Sequence, residues 1–577
     1  MRAEDEEGDM ASTKPGFSPS SLSTVSTEGA LSKHESQWGI SGFFRVLCDA
    51  FGWRLLLMLT LTEAGLKGFA AGGGNGGLIG LPIEYLLKEF HVSAGNIQIY
   101  RSAVSVPWSI KPLLGLISDA VPIFGYHRVP YFFFVATAGT ISCLMIALYS
   151  DLTLTMLLIL LFFVFLMVAW SDLLTEAVYS VVLRQKPEHG PSLISYVWGG
   201  ISCGRLLALL AVGEVMTHFG NRTSYLIATP MAVLSLLVPL MNLPQETRSR
   251  ARCGAKLSGS ELPLAIVAFI TGCGTLGLAL LSIFGGSLQT KVFAAACLAV
   301  LALGLVSCAL SPIIAKMNAF FFIQNICSFG IGGAQFYFFT DGPESYPEGP
   351  HLSKVFYTSA IGMVSTVFSL VGMVIYNRWM QRWSYPHILM FGNILTAVCN
   401  LLNCLVFSRW NLKLGINDHV FVLGSDAIQN VVQEIAWLPT MLLISQLCPK
   451  GCEATMFALL AGMSNLGASL GSYFGAYILV QLGVQPTGEA NESAEFDNLW
   501  IASVVSSVGP CIPLALVYQL IPNVGQKDTV PGLASSTQGS PLNNLLVRWG
   551  WMEDESSSEE VEMQNVLGKG DDSDDDR

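Results

Sequence analysis

From Trp53 to Ile521 the chain reads as one long apolar segment after another, joined by short polar connections. A spanning α-helix needs roughly 20 mostly apolar residues, and in lipid each backbone N–H and C=O must find its partner inside the protein. Segments that meet this length lie near 53–87, 96–118, 129–149, 152–183, 190–217, 222–243, 262–284, 288–311, 317–340, 352–377, 385–407, 418–447, 454–482 and 497–521. The expectation is an all-α polytopic membrane protein with fourteen crossings. Charged residues make up only 12% of the chain and hydrophobic ones 52%, against about 25% charged in soluble domains. The net charge of −12 argues against a nucleic-acid partner, which would want a basic face. The 13 cysteines are scattered, and the closest pair, Cys448 and Cys452, lacks partners at zinc-type spacing. They read as reduced, small hydrophobes, and no metal or cofactor site is expected.

Residues 1–50 open acidic and run on in Ser, Thr, Gly and Pro, without the basic n-region of a signal peptide or the acid-poor character of a transit peptide. Residues 522–577 end in an acidic, serine-containing run. Both are expected to be disordered tails. With the N-terminus inside, thirteen Lys and Arg fall on the inner side, against five on the other, namely Lys88, Arg222, Lys291, Arg409 and Lys413. Both tails are therefore expected in the cytoplasm, and a cell-surface location is favoured over a plastid. The sequons at Asn491 and Asn221 then face outward, the second in a connection too short to be used.

The chain carries an internal repeat. Asp172, Thr175, Glu176, Tyr179 and Ser180 in the fourth segment share the offsets 0, 3, 4, 7, 8 with Asp426, Gln429, Asn430, Gln433 and Glu434 in the twelfth, which is one face of a helix in each case. Gly115 precedes Asp172 by 57 positions and Gly372 precedes Asp426 by 54. The domains follow as six-helix bundles at 51–243 and 317–521, with a linker and an extra two-helix hairpin at 244–316.

An ionisable group at mid-bilayer costs about 2.5–3.5 kcal/mol on insertion scales, so it faces a protein interior or a water-filled cavity. Glu63, Lys67, Arg101, Asp172, Glu176, Arg205, Asp426, Gln433 and Glu434 are the candidates for substrate binding or proton coupling. Glu63 and Lys67, four apart, are also placed to neutralise each other. Asp172 and Glu176 repel at that spacing, which points to a substrate, a proton or a basic partner such as Arg205. The glycine-rich run Ala70–Gly80 lacks the strand and the Gly-Lys-Ser/Thr ending of a phosphate loop. Together with Asn325–Gly333 it marks glycine-broken helices at corresponding positions of two halves, a pointer to a central binding site.

The stretch "KPLLGLISDAVPIFGYHR", Lys111 to Arg128, resembles the Gly-x-x-x-Asp…Gly-x-x-Arg signature of the major facilitator superfamily, here Gly115, Asp119, Gly125 and Arg128. Together with "LCPKGCEATMFALLAGMSNLGASLGSYFGA" and "SDLLTEAVYSVV" it is similar to the folate-biopterin transporter family, over roughly residues 53–521. The resemblance implies a major-facilitator-type fold of two six-helix bundles and a gate formed by Lys111, Gly115, Asp119, Gly125 and Arg128. It also implies transport of folate, biopterin or a related pterin. Tyr126 and His127 stand where the family usually has basic residues, and Tyr376 stands where the second half would repeat Asp119. A pterin's adjacent N–H donors suit Asp172 or Asp426, its flat face suits Tyr179 or Trp437, and folate's anionic tail suits Lys67, Arg101 or Arg205. The expected partners are this small molecule, the lipid bilayer and protons, with Asp172, Glu176 or Glu434 as proton carriers. The alternatives are transport of S-adenosylmethionine, favoured by an excess of cavity carboxylates, or a substrate-sensing receptor on the same fold. With eight histidines and no His-Glu-x-x-His motif, an enzyme is not expected.

Overall fold

A computed structural model describes residues 40–74, 76–248, 262–448, 453–528, 536–537 and 539–548. The expectations for residues 1–39 and 549–577, for the basic run at 250–256 and for Cys452 lie outside the described residues. Helix α1, Ile40–Phe51, forms a compact unit of its own. Everything after Gly52 forms a second unit.

All fourteen apolar segments are helical. Ten of them are helices long and apolar enough to cross a membrane, among the described residues. The other four are the segment expected at 454–482, which is the unbroken helix Glu453–Gln481, and three interrupted ones. In the first, α2 (Trp53–Leu59) widens into a π-helix, Thr60–Ala70, which stops at a glycine turn before the short helices Gly77–Gly80 and α3 (Pro82–Lys88). The second is divided into α4 (Ala94–Val104), Val106–Ser109 and α5 (Lys111–Ala120). The third is α12 (Pro312–Ile326) and α13 (Gly332–Thr340), separated by residues 327–331. Between them in the chain lie α6 (Val129–Leu148), α7 (Leu154–Gln185), α8 (Gly190–His218), α9 (Thr223–Ser235), α10 (Leu262–Phe284) and α11 (Leu288–Ala309). After the third come α14 (Ile361–Ile375), α15 (Tyr385–Asn400), α16 (Asp418–Gln446), α17 (Glu453–Gln481) and α18 (Leu499–Val508). Ladder pairing is limited to two isolated bridges, and no strand occurs among the described residues.

The glycine turn in the first segment follows from backbone sterics. Gly72, Gly73, Gly74 and Gly77 all have φ between 59° and 153°, a region that side chains penalise. The chain therefore breaks here and not elsewhere along the segment.

Within the first six segments the π-helix packs on α8 and α9, and α6 on α7 and α9. Within the last six, α16 packs on α14 and α15, and α12 on α17. The two groups meet where α4 lies on α17 and α13, and where α8 lies on α14 and the π-helical turn Val355–Ala360. The hairpin α10–α11 packs against α4, α5 and α17. Residues past 521 also join the bundle: Ser311 N donates to Ser536 O at 2.8 Å, and Leu546 of the short helix Pro541–Arg548 is buried.

The contact between the π-helix and α8 depends on small residues. A Cβ on Gly204 would come within 2.7 Å of Phe69 N. Overpacking of this kind costs about 1–3 kcal/mol. Gly204→Val is expected to lower the thermal midpoint of the detergent-solubilised protein by that equivalent, whereas the same change at Gly277, which has open space around it, leaves the midpoint near wild type.

Candidate functional site

The helix breaks face a central cavity with two chambers. One, of about 540 Å³, is lined by Gly73, Gly74, Gln98, Arg101, Trp108, Gly330 and Ser472 among others. The second, of about 520 Å³, is lined by Gly72, Arg101, Arg205, Phe339, Tyr357, Asp426 and Gln429 among others. Gly73, Glu84 and Arg101 belong to both walls. Arg101 Nη1 lies 3.3 Å from Glu84 Oε1 and 3.4 Å from Gly80 O, so the guanidinium sits between the chambers and not out at a membrane surface.

Gln98 spans the join between the two helix groups. Its Nε2 donates to Gly330 O at 2.7 Å and to Ser472 O at 2.9 Å. The break in the α12–α13 segment frees backbone carbonyls, and this amide takes one of them up. Asp426 Oδ2 accepts from Ser365 Oγ at 2.5 Å and Asn430 Nδ2 at 3.0 Å. Gln429 and Asn403 exchange amide hydrogen bonds at 3.1 and 3.4 Å, and the Phe339 and Tyr357 rings lie 6.2 Å apart. The second chamber thus offers carboxylate, amide and guanidinium groups beside aromatic faces, which suits a flat, polar heterocycle with an anionic extension.

Asp172 lies elsewhere. It is 2% exposed, with Lys67 Nζ 2.6 Å from Oδ1 and Lys111 Nζ on Oδ2. Lys111 also reaches Glu176 Oε2 at 3.4 Å, and Lys67 reaches Glu63 Oε2 at 3.5 Å. Five charged groups from three segments thus form one cluster, buried except at Glu176. The rings of Trp198 and Trp108 stand over Lys67 and Lys111 at 5.6 and 4.8 Å, adding cation–π attraction. The basic partners of Asp172 are these lysines, while Arg205 lines the second chamber with Asp426. Gln433 is exposed, and Glu434 sits at the crossing of α14 and α16, where a Cβ on Gly372 would meet its Cβ at 2.9 Å.

Of the expected gate residues, Lys111, Gly115, Asp119 and Arg128 line a small cleft of about 150 Å³ against Leu264 and Ala268 of the hairpin and Thr455 and Ala458 of α17, and Lys111 belongs to the charge cluster as well. Gly125 (φ 86°) and Phe124 (φ 54°) make the two-residue turn that pairs Ile123 with Tyr126. Glu246, which carries no motif, accepts from the backbone N–H groups of His127, Arg128 and Val129 at 2.5, 3.0 and 3.0 Å and so caps α6.

The end of the bundle that carries Lys88 is fastened across the two groups. Lys88 Nζ lies 2.5 Å from Asp341 Oδ1, and Lys354 Nζ donates to Asn221 Oδ1 at 3.0 Å. The Tyr85 and Phe336 rings meet edge to face at 4.8 Å. Burial raises the Asp341 carboxyl above its usual range, an effect that Lys88 offsets only in part. At the opposite end a cleft of about 380 Å³ lies between Glu176, Tyr179 and Ser180 of α7 and Ser445, Cys448 and Phe457. Glu84, Gln98 and the Lys88–Asp341 pair escape sequence reasoning because their partners lie 17 to 374 residues away in the chain and no local pattern links them.

These features define a class, the polytopic membrane transporters with a central cavity between two helix bundles. Solved structures agree on the fold. A peptide transporter POT in complex with sulfate superposes with a TM-score of 0.57 at 15% identity, over 82% of this chain and 96% of that one. A D-xylose-proton symporter gives 0.51 at 11%, over 83% and 98%. The chain itself belongs to the BT1 family, which matches residues 74–534. Its relatives include probable folate-biopterin transporter 2 of Arabidopsis thaliana, 25% identical over 85% of this chain and 89% of the relative. The folate-biopterin transporter of Synechocystis sp. is 26% identical over 81% and 82%, and folate transporter 1 of Plasmodium falciparum 21% over 80% and 79%. Fold and family are those of transporters and not of enzymes.

The pair of partly exposed Lys88 and buried Asp341 sets a double-mutant test. Removing one partner of a buried pair strands the other charge, at about 3–5 kcal/mol. Lys88→Met alone is expected to depress the thermal midpoint more than Lys88→Met with Asp341→Asn, because the double variant buries no orphan carboxylate.

Proposed function

We propose that the protein moves folate or a related pterin across the membrane by alternating access, driven by a proton gradient. The observation that carries the reading is the central cavity. Its second chamber sets Asp426, Gln429 and the Phe339 and Tyr357 rings where a pterin would lie, with Arg101 and Arg205 where an anionic tail would reach. The family membership and the names of the relatives point to the same cargo. Two carboxylates, Glu84 and Asp426, face two guanidinium groups in that chamber. The excess of acid that a cationic metabolite such as S-adenosylmethionine would want is not found in this lining.

In this reading Asp119, Arg128 and the rest of the expected gate motif mark the cytoplasmic end, both termini are cytoplasmic, and the protein acts at the plasma membrane. The fastened Lys88 end is then the outer gate in its closed position. The bias of Lys and Arg among the connections supports the orientation. The carboxylates Glu63, Asp172, Glu176, Asp426 and Glu434 form the pool from which the proton carrier is drawn.

Uptake of labelled folate, biopterin and S-adenosylmethionine by cells expressing the chain tests the cargo. Folate and biopterin uptake is expected, stronger at acid pH. Arg205→Ala is expected to raise KM for folate at least about tenfold, the loss of one charge-assisted contact worth roughly 1.5–3 kcal/mol, with a smaller change for biopterin, which lacks the anionic tail. Uptake of none of the three by protein present at the surface would refute the reading.

Glycosylation tests the topology. Asn491 is exposed, whereas Asn221 is 8% exposed with its Nδ2 donating to Glu89 Oε1 at 2.8 Å. A glycosidase-sensitive mobility shift is expected in the wild type and in Asn221→Gln, and its loss in Asn491→Gln.

A further inference from the structure

The cluster around Asp172 carries more negative than positive charge. Three carboxylates, Glu63, Asp172 and Glu176, meet two ammonium groups, Lys67 and Lys111, so −3 + 2 leaves −1. Glu176 can place its share in water, since its side chain is 36% exposed and lines the cleft beside Tyr179. Asp172 holds one lysine on each oxygen. The uncompensated charge therefore falls on Glu63, which is 1% exposed. Neither of its oxygens accepts a hydrogen bond, and its cation, Lys67, stands at 3.5 Å while reaching Asp172 at 2.6 Å.

Among the described residues the surroundings of Glu63 supply no further cation. Lys67 is on its own helix, Lys111 comes from α5, and Asp172 and Glu176 come from α7, with the Tyr179 phenol near by. From α8, Tyr196 Oη pairs with Thr60 Oγ1 at 2.6 Å and Arg205 lines the Asp426 chamber. From α9, Tyr225 Oη donates to Ile79 O at 2.7 Å. A buried charge left this way costs several kcal/mol, and a bound proton removes it.

We propose that Glu63 is the carboxylate that takes up and releases the coupled proton, with Asp172 as the fixed anion that anchors the two lysines. The proposal rests on the reading of the protein as a proton-driven transporter. The proton arrives from water as an O–H on a Glu63 oxygen and leaves the same way, with no other bond made or broken. With Glu63 neutral, Lys67 belongs to Asp172 and ties the π-helix to α7. With Glu63 ionised, Lys67 is shared between two carboxylates and that tie slackens. Lys67 also holds the glycine turn of the cavity wall, because its carbonyl accepts from Gly73 N at 2.8 Å. Proton and cargo are thus linked through one lysine.

The purified full-length chain in liposomes tests this with two readouts. In Glu63→Gln, exchange of labelled folate for internal folate is expected to persist at a reduced but measurable rate. The accumulation driven by an inward proton gradient is expected to fall at least about tenfold, equivalent to 1.36 kcal/mol or more. Accumulation in Glu63→Gln that still follows the gradient would overturn the proposal, as would wild-type exchange without any gradient-driven accumulation. A wild type that exchanges neither folate nor biopterin would overturn the cargo reading instead. Reaction of the unmodified chain with the apolar reagent dicyclohexylcarbodiimide, which attacks protonated buried carboxyls, needs no variant and no cargo. Peptide mass spectrometry is expected to find the adduct on Glu63, declining as pH rises. An adduct on Asp172 with none on Glu63 would also overturn the proposal.

Discussion

The pairing of Lys67 and Lys111 on Asp172 is the interaction on which the first six helices depend. Each of these groups alone would be costly in an apolar interior, on the order of 2.5–3.5 kcal/mol at the centre of a spanning helix. Held together they join the π-helix, α5 and α7 at one point. The π-helix widens the backbone turn at the place where Glu63 and Lys67 must both enter this crowded space, in keeping with the tendency of such turns to occur at functional sites. Lys111 opens α5 and Asp119 lies near its end. A helix of ten residues is about 15 Å long, so α5 runs from the charge cluster along the Gly115, Asp119 and Arg128 cleft.

The cavity depends on a second constraint, that backbone polar groups in a membrane protein need partners wherever a helix stops. Both breaks face the cavity, where water or cargo can satisfy what the helix gives up. The turn at Gly72–Gly77 closes on itself, with Gly74 N and Gly76 N both donating to Ala71 O at 3.0 Å. The break at residues 327–331 is completed from outside, by Gln98 on Gly330 O and by Ser506 Oγ on Ser328 O at 2.9 Å. One break is self-contained, and the other is held both by Gln98 of the opposite helix group and by Ser506 of its own.

The apolar segments, the glycine breaks and the matching faces of the fourth and twelfth segments were legible in the sequence because each is a local pattern of length, spacing or composition. What the two faces do was not. Asp172 and Asp426 open the same run of offsets, yet Asp172 is closed off by lysines 105 and 61 residues away, while Asp426 meets Ser365 and Asn430 and stays on the cavity wall. Partners drawn from other helices decide between burial and access, and spacing along one helix carries no information about them. Lys111 shows the same limit: it lines the cleft of the signature residues, but its contacts with Asp172 and Glu176 on α7 leave no trace in the local sequence.

A symmetry invisible in the sequence links the two halves at the turns after their second helices. In the first half that turn is held by Glu246, just beyond the sixth segment, through the N–H groups of residues 127–129. In the second half Gln526, just beyond the last segment, does the equivalent work. Its Oε1 accepts from Tyr376 Oη at 2.5 Å, and its Nε2 donates to Met380 O at 2.8 Å and Trp383 O at 3.0 Å. Tyr376 stands where the first half has Asp119, and a neutral phenol–amide contact needs no counter-charge. The clasp of the second half is thus uncharged, while in the first half a carboxylate, Glu246, accepts from backbone N–H groups. Each half closes its turn with the residue that follows its own last helix, and the two halves meet through the contacts of α4 with α17 and α13 and of α8 with α14 and the Val355–Ala360 turn.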